Sequence, residues 1–100
     1  MNIEIKESNG GYNAILFGWL DTNVATEFLE DLKTLEEHAD KAIELDCSNL
    51  EYICSLGLRG LLKLQKLSVA QGGTLVLKHV NEEIRGILTL TGFIKLFLIR

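Results

Sequence analysis

The residue types best suited to chemistry stand together in one short run, Tyr52-Ile53-Cys54-Ser55-Leu56-Gly57-Leu58-Arg59. Tyr52-Ile53 reads as the end of a strand and Ser55 onward as the start of a helix, so the run is a strand–helix junction. A serine hydroxyl there can act as a nucleophile, cap the helix, or accept a modifying group. The first role fails on its surroundings. A nucleophile elbow carries its serine on a sharp strand-to-helix turn written G-x-S-x-G. The matching window, Ile53-Cys54-Ser55-Leu56-Gly57, lacks the first glycine, and no Asp or Glu lies between Ser55 and His79 to complete the order Ser, acid, His. A chain of 100 residues also leaves little room for a substrate pocket. The expectation is a protein that is not an enzyme and has no catalytic residues.

Other candidate chemistry is equally sparse. His38 and His79 are isolated, with no cysteine or carboxylate beside them at helical or hairpin ligand spacing, so no metal site is expected. Cys47 and Cys54 are not a C-x-x-C pair and cannot make a disulfide framework of the secreted kind; they read as two buried or half-buried thiols. Gly72-Gly73 lacks the GK[ST] ending of a phosphate loop and follows a helix where such a loop precedes one. No cofactor is implied. The acidic pairs Glu36-Glu37 and Glu82-Glu83 are adjacent, so their members point apart on a helix and form solvated faces.

The elements that must hold the junction follow from periodicity. Residues 2–7 alternate as a strand, Gly10-Gly11 turns the chain, and residues 12–16 return as the second arm of a hairpin. Asp21 or Asn23 can cap the next helix, whose Val24, Phe28, Leu32 and Leu35 fall at intervals of three and four. Residues 41–47 read as a buried central strand, Ser48-Asn49 as a break, and Tyr52-Ile53 as a short continuation. A second helix spans about 55–71 and stops at Gly72-Gly73. Residues 74–78 make another strand. Asn81 caps a third helix with Glu82 and Glu83 in its first turn, where the dipole favours acids. Gly92 ends it, and the apolar run 93–99 is expected to close the fold as a last strand. The order β-β-α-β-α-β-α-β implies a single α/β domain over residues 1–100. Its mixed sheet is flanked by helices and joined by right-handed crossovers. Ile43, Leu45, Val76, Phe28, Leu61 and Ile87 are the expected core.

Composition narrows the partners. A hydrophobic fraction of 47% without low-complexity tracts describes a packed globule. The apolar runs are too short to span a bilayer and the N-terminal residues lack a signal-peptide pattern, so a cytoplasmic protein without membrane insertion is expected. A net charge of -4 argues against nucleic-acid binding. The charge is polarised: Asp21 to Glu51 holds ten acids and two bases, whereas Tyr52 to Arg100 holds two acids and seven bases. Opposed faces of that kind steer protein partners. Arg59, Lys63 and Lys66 share one helix face with Ser55 one turn ahead and Leu56 at its border. This stripe reads either as a docking surface for an acidic partner or as the charged side that any helix shows to water.

At the junction the chain resembles the STAS family, the domain shared by bacterial anti-sigma factor antagonists and the tails of sulphate transporters. Gly18-Trp19-Leu20-Asp21-Thr22-Asn23 is similar to the family's G-x-L-D segment. Residues 43–49 with 52–59 are similar to its LDLSNL-x-YI-S-S-A-G-L-R signature. Residues 72–78 with Thr91-Gly92-Phe93 are similar to its closing motif. The resemblance implies an anti-sigma factor antagonist that binds an anti-sigma factor of the serine-kinase type and so releases a sigma factor, phosphorylation at the junction breaking the complex. Together with the basic stripe, it places partner contacts at Asp21, Thr22, Asn23, Cys54, Ser55, Leu56, Gly57, Arg59 and Lys63. Where the signature often reads D-S-S-G, this chain reads Cys54-Ser55-Leu56-Gly57, so Leu56 stands in the commonly modified position and Ser55 is the only hydroxyl left. Ser55 is then either the phosphoacceptor or a helix cap. The alternative function is a STAS accessory or scaffold subunit of a larger complex, such as a lipid-transport or signalling assembly, without phosphorylation. Neither reading specifies the oligomeric state.

Overall fold

A computed structural model describes residues 2–100 of the chain. Among them β1 (Ile3–Ser8) and β2 (Gly11–Leu20) form an antiparallel hairpin, Ile3 pairing with Leu16 and Ser8 with Gly11. From β2 the chain enters α1 (Thr22–Glu36), returns through β3 (Ala42–Ile53), and passes into α2 (Ser55–Gln71) and β4 (Thr74–Lys78). It ends with α3 (Glu82–Thr91), a 3-10 turn at Phe93–Lys95 and β5 (Leu98–Ile99). The sheet order is β1-β2-β3-β4-β5, with every pair beyond the hairpin parallel. The expected α/β architecture, its mixed sheet and its element order are all present.

Each crossover steps one strand further in the same direction. Right-handed connection therefore puts every helix on one face of the sheet. Side-chain alternation agrees: Ala14 and Leu16, Ile43, Leu45 and Cys47, and Leu75 and Leu77 point into one buried cluster with Phe28, Leu32 and Leu35 of α1, Leu58, Leu61 and Leu64 of α2, and Ile84 and Leu88 of α3. The intervening positions Asn13, Glu44, Asp46 and Lys78 line an open depression on the other face, where Lys78 pairs with Glu44 at 3.4 Å. Burying each large aliphatic or aromatic side chain contributes about 1.5–3 kcal/mol, so this one-sided core is the main source of stability. Ile43, Leu45, Val76, Phe28 and Leu61 are buried as expected, whereas Ile87 is only half-buried at the edge of the cluster.

Three expectations need correction. The second strand runs on through Phe17-Gly18-Trp19-Leu20, because its pairing with β3 continues to Leu20 opposite Ile53. Ser48-Asn49 does not end β3. The strand absorbs extra residues in two bulges, one at Cys47-Ser48 and one at Glu51, and then resumes its register with β2. The run 93–99 is mostly not a strand. After the left-handed Gly92 it makes the 3-10 turn and buries Phe97, leaving two strand residues. Among the described residues no helix is long and apolar enough to cross a membrane.

Candidate functional site at the strand–helix junction

β2 and β3 are parallel neighbours, so the helices that follow them start side by side. Leu20 pairs with Ile53, and the Cys54 N–H donates to the Leu20 carbonyl at 2.8 Å. That pairing brings Asp21-Thr22-Asn23 and Cys54-Ser55-Leu56-Gly57, more than thirty positions apart in sequence, to the same edge of the molecule. Thr22, Asn23, Ser55 and Leu56 are exposed, Asp21 is half-buried, and Cys54 and Gly57 are buried. Leu56 keeps 43% of its surface in solvent.

The two helix starts are built differently. Asp21 caps α1 through a carboxylate that accepts from the Asn23 N–H at 3.0 Å. At α2 the cap position belongs to Cys54, not to Ser55, and no side chain among the described residues makes the cap hydrogen bond. Ser55 is the first helical residue with its hydroxyl at the surface. A serine at that position is past the place from which its oxygen reaches the N–H two or three residues on. The capping role expected of it is therefore not the one observed.

What holds α2 in place is packing. A Cβ on Gly57 would stand 2.8 Å from Cγ1 of Ile53, and one on Gly60 would run into the Leu29 side chain of α1. Gly57 thus admits a side chain from β3 close against the helix. Cys47 and Cys54 are both free and buried. Burial, helped by the Asp46 carboxylate, pushes the Cys47 thiol up to about 12, so it stays protonated and unreactive at neutral pH.

Further along α2, Arg59, Lys63 and Lys66 do share one face. They line an open depression floored by Leu62 and Leu67. Lys63 reaches Glu36 at the end of α1, 3.6 Å away, which neutralises part of the stripe. The stripe and the junction therefore form one continuous surface of apolar and basic character along the helix.

Two features escaped the sequence. Trp19 stacks on Tyr52 with ring centroids 4.6 Å apart and planes 20° apart, yet leaves 57% of its own surface exposed. Asn81 caps α3 through Oδ1, which accepts from the Ile84 N–H at 2.9 Å. Its amide nitrogen donates to the carbonyls of Cys47 at 3.1 Å and Leu50 at 2.8 Å, so one side chain also pins the bulged part of β3. The capping signal of Asn81 was legible; its second employment depends on a bulge that no spacing rule announces. Below the bulge, burial works to raise the Asp46 pKa. Hydrogen bonds from the Ser48 N–H at 2.9 Å and hydroxyl at 2.8 Å, with His79 nearby, outweigh it and hold the carboxyl below its usual range.

A one-sided α/β sheet whose second and third parallel strands end in an exposed strand–helix junction defines a domain class, and comparison with known proteins agrees. The family model described as "Mlab, STAS domain" matches residues 15–99. The chain belongs to this STAS-domain family. It is similar to BtrV of Bordetella bronchiseptica, assigned as an anti-sigma factor antagonist, with 27% identity over 97 residues that cover 97% of this chain and 84% of that protein. A crystal structure from Thermotoga maritima with the same assignment superposes with a TM-score of 0.78 at 25% identity, covering 97% of this chain and 84% of that one. The anti-sigma factor antagonist SpoIIAA in its unphosphorylated form superposes with a TM-score of 0.77 at 17% identity, covering 98% and 87% of the two chains, a likeness of fold.

Proposed function

We propose that this protein is an anti-sigma factor antagonist acting in the cytoplasm as a binding module without catalytic activity. Its partner is an anti-sigma factor of the serine-kinase type, whose capture releases a sigma factor. The observation that carries the reading is the exposed Ser55-Leu56 pair at the head of an α2 that lacks a side-chain cap, beside Thr22 and Asn23. The similarity to relatives named as antagonists supports the partner class. Asp21, Thr22, Asn23, Cys54, Ser55, Leu56, Gly57, Arg59 and Lys63 form or support the contact surface, with Leu56 as its apolar centre and Arg59 and Lys63 as its basic flank.

Ser55 is the phosphoacceptor in this reading. A phosphate brings about -1.5 to -2 charges. The positive end of α2 accommodates them, because its first turn carries no acid. The same charge trapped in a partner interface without counter-charge weakens the complex by roughly 3–5 kcal/mol. Modification thus removes binding and spares the fold. Leu56 in the second-serine position favours the other reading, an accessory subunit that is never phosphorylated.

Calorimetry with a cognate kinase-type anti-sigma factor tests the docking surface. Leu56→Asp is expected to weaken binding by at least about 1 kcal/mol, since it sets a charge in the apolar centre. Unchanged affinity with an intact fold places the interface elsewhere.

A further inference from the structure

Trp19 is the one tryptophan in the chain, and it is spent on the surface. Its placement follows from the sheet: Leu20 and Ile53 turn into the core, so their neighbours Trp19 and Tyr52, paired across β2 and β3, turn outward. Stacking on Tyr52 fixes the plane of the indole without covering its other face. An aromatic ring held that way loses little conformational freedom on binding, which is why tryptophan and tyrosine dominate contact surfaces.

The open depression beside Trp19 is lined by Asn49, Glu51, Asn81 and Glu83 together with Ser48 and Leu50, all neutral or acidic. Glu51 arrives there because it is the extra residue of the second β3 bulge. The bulged segment does not drift, since Asn81 holds the carbonyls of Cys47 and Leu50. Glu83 comes from the first turn of α3, where it and Glu82 offset the positive end of that helix. The result is an exposed aromatic face with two carboxylates and the amide groups of Asn49 and Asn81 around it.

We propose that this depression receives an arginine side chain presented by the protein partner. A guanidinium is planar, so it lies flat on the indole. It is cationic, so the negative face of the ring and the two glutamates attract it, and its fork of N–H donors suits carboxylate and amide oxygens. The site lies two residues before the junction on both strands, through Trp19-Leu20-Asp21 and Tyr52-Ile53-Cys54. The two surfaces thus make opposite demands on a partner: an arginine here, and acidic groups along the Arg59, Lys63 and Lys66 stripe. A partner with uniform charge satisfies only one of them. That makes the pair of sites a device for choosing a partner and its orientation.

This assignment rests on the docking reading only for the owner of the arginine. The test uses no kinase, so its failure and the failure of junction docking are separable. The uniformly labelled protein is titrated with N-acetyl-Gly-Arg-Gly-amide, and with the citrulline peptide of the same shape, while the Trp19 indole N–H resonance is followed. The arginine peptide is expected to shift that resonance saturably in the millimolar range, and the citrulline peptide to leave it in place. Glu51→Gln with Glu83→Gln, both at exposed positions that leave the core intact, is expected to weaken the arginine peptide about fivefold to tenfold. A Trp19 resonance that does not move, that moves equally with citrulline, or that responds undiminished in the double variant overturns the proposal.

Discussion

The heads of α2 and α3 are both strand–helix junctions at the same end of the sheet, and they are secured in opposite ways. At α3, Asn81 bonds the helix through its oxygen and β3 through its nitrogen, and Glu82 and Glu83 complement the dipole. Both ends of the Asn81 amide thus have partners. At α2 the cap position is a buried cysteine, no acid stands in the first turn, and the helix is seated by Gly57 and Gly60 against Ile53 and Leu29. One junction is held by hydrogen bonds and the other by packing. The two heads therefore differ in how well they tolerate a modification. Adding charge at α3 displaces existing bonds, whereas the head of α2 offers backbone N–H groups and a free serine.

Three substitutions put that contrast to the test. The largest effect is expected from Asn81→Ala, which deletes the cap and leaves the Cys47 and Leu50 carbonyls without their donor. Urea denaturation should show a loss of about 2–4 kcal/mol, and a loss under 1 kcal/mol removes Asn81 from its place as the hydrogen-bonded anchor. Next comes Gly57→Ala, which adds one methyl group against Ile53. A loss of about 1–3 kcal/mol is expected by the same measurement, because the contact is overpacked. Stability equal to wild type means that α2 is not seated by close approach. Smallest is Ser55→Ala, which should change stability by under about 0.5 kcal/mol, since an exposed first-turn hydroxyl makes no cap. A cost of 1 kcal/mol or more returns Ser55 to a capping role.

Much of this was legible in the chain. The helix stripes of Val24, Phe28, Leu32 and Leu35, the glycine stop at Gly72 and the cap at Asn81 each rest on a local rule, and local rules survive folding. The misses share a cause as well. Ser48-Asn49 reads as a break because two exposed polar residues interrupt the alternation, yet pairing with β2 and the amide of Asn81 carry β3 through it as a bulge. The apolar run 93–99 has the composition of a strand, but Gly92 turns the chain so that Phe97 plugs the core and only Leu98–Ile99 pair with β4 as a strand. Cys54 and Ser55 differ by one residue in their claim to the cap, a distance that periodicity cannot resolve. In the sequence Trp19 is only the variable position of a G-x-L-D motif. Its outward face depends on the left-handed Gly18 and the bulge at Glu51, which set the register after the alternation has been broken.

If the head of α2 carries a switch that acts on binding and leaves the fold alone, as we propose, a matched pair of substitutions separates the two effects. Ser55→Asp places an acid at the start of a helix whose dipole accepts it, so the melting temperature should match or exceed wild type. Affinity for the kinase-type anti-sigma factor, measured by calorimetry, should nevertheless fall by at least about tenfold, or 1.4 kcal/mol. Ser55→Ala should keep most of that affinity, and incubation of the wild-type protein with the kinase and ATP should add one phosphate that Ser55→Ala abolishes. Wild-type binding by Ser55→Asp, or phosphate on Thr22 or Ser48 instead, contradicts the account and leaves Ser55 as a surface residue of an accessory subunit.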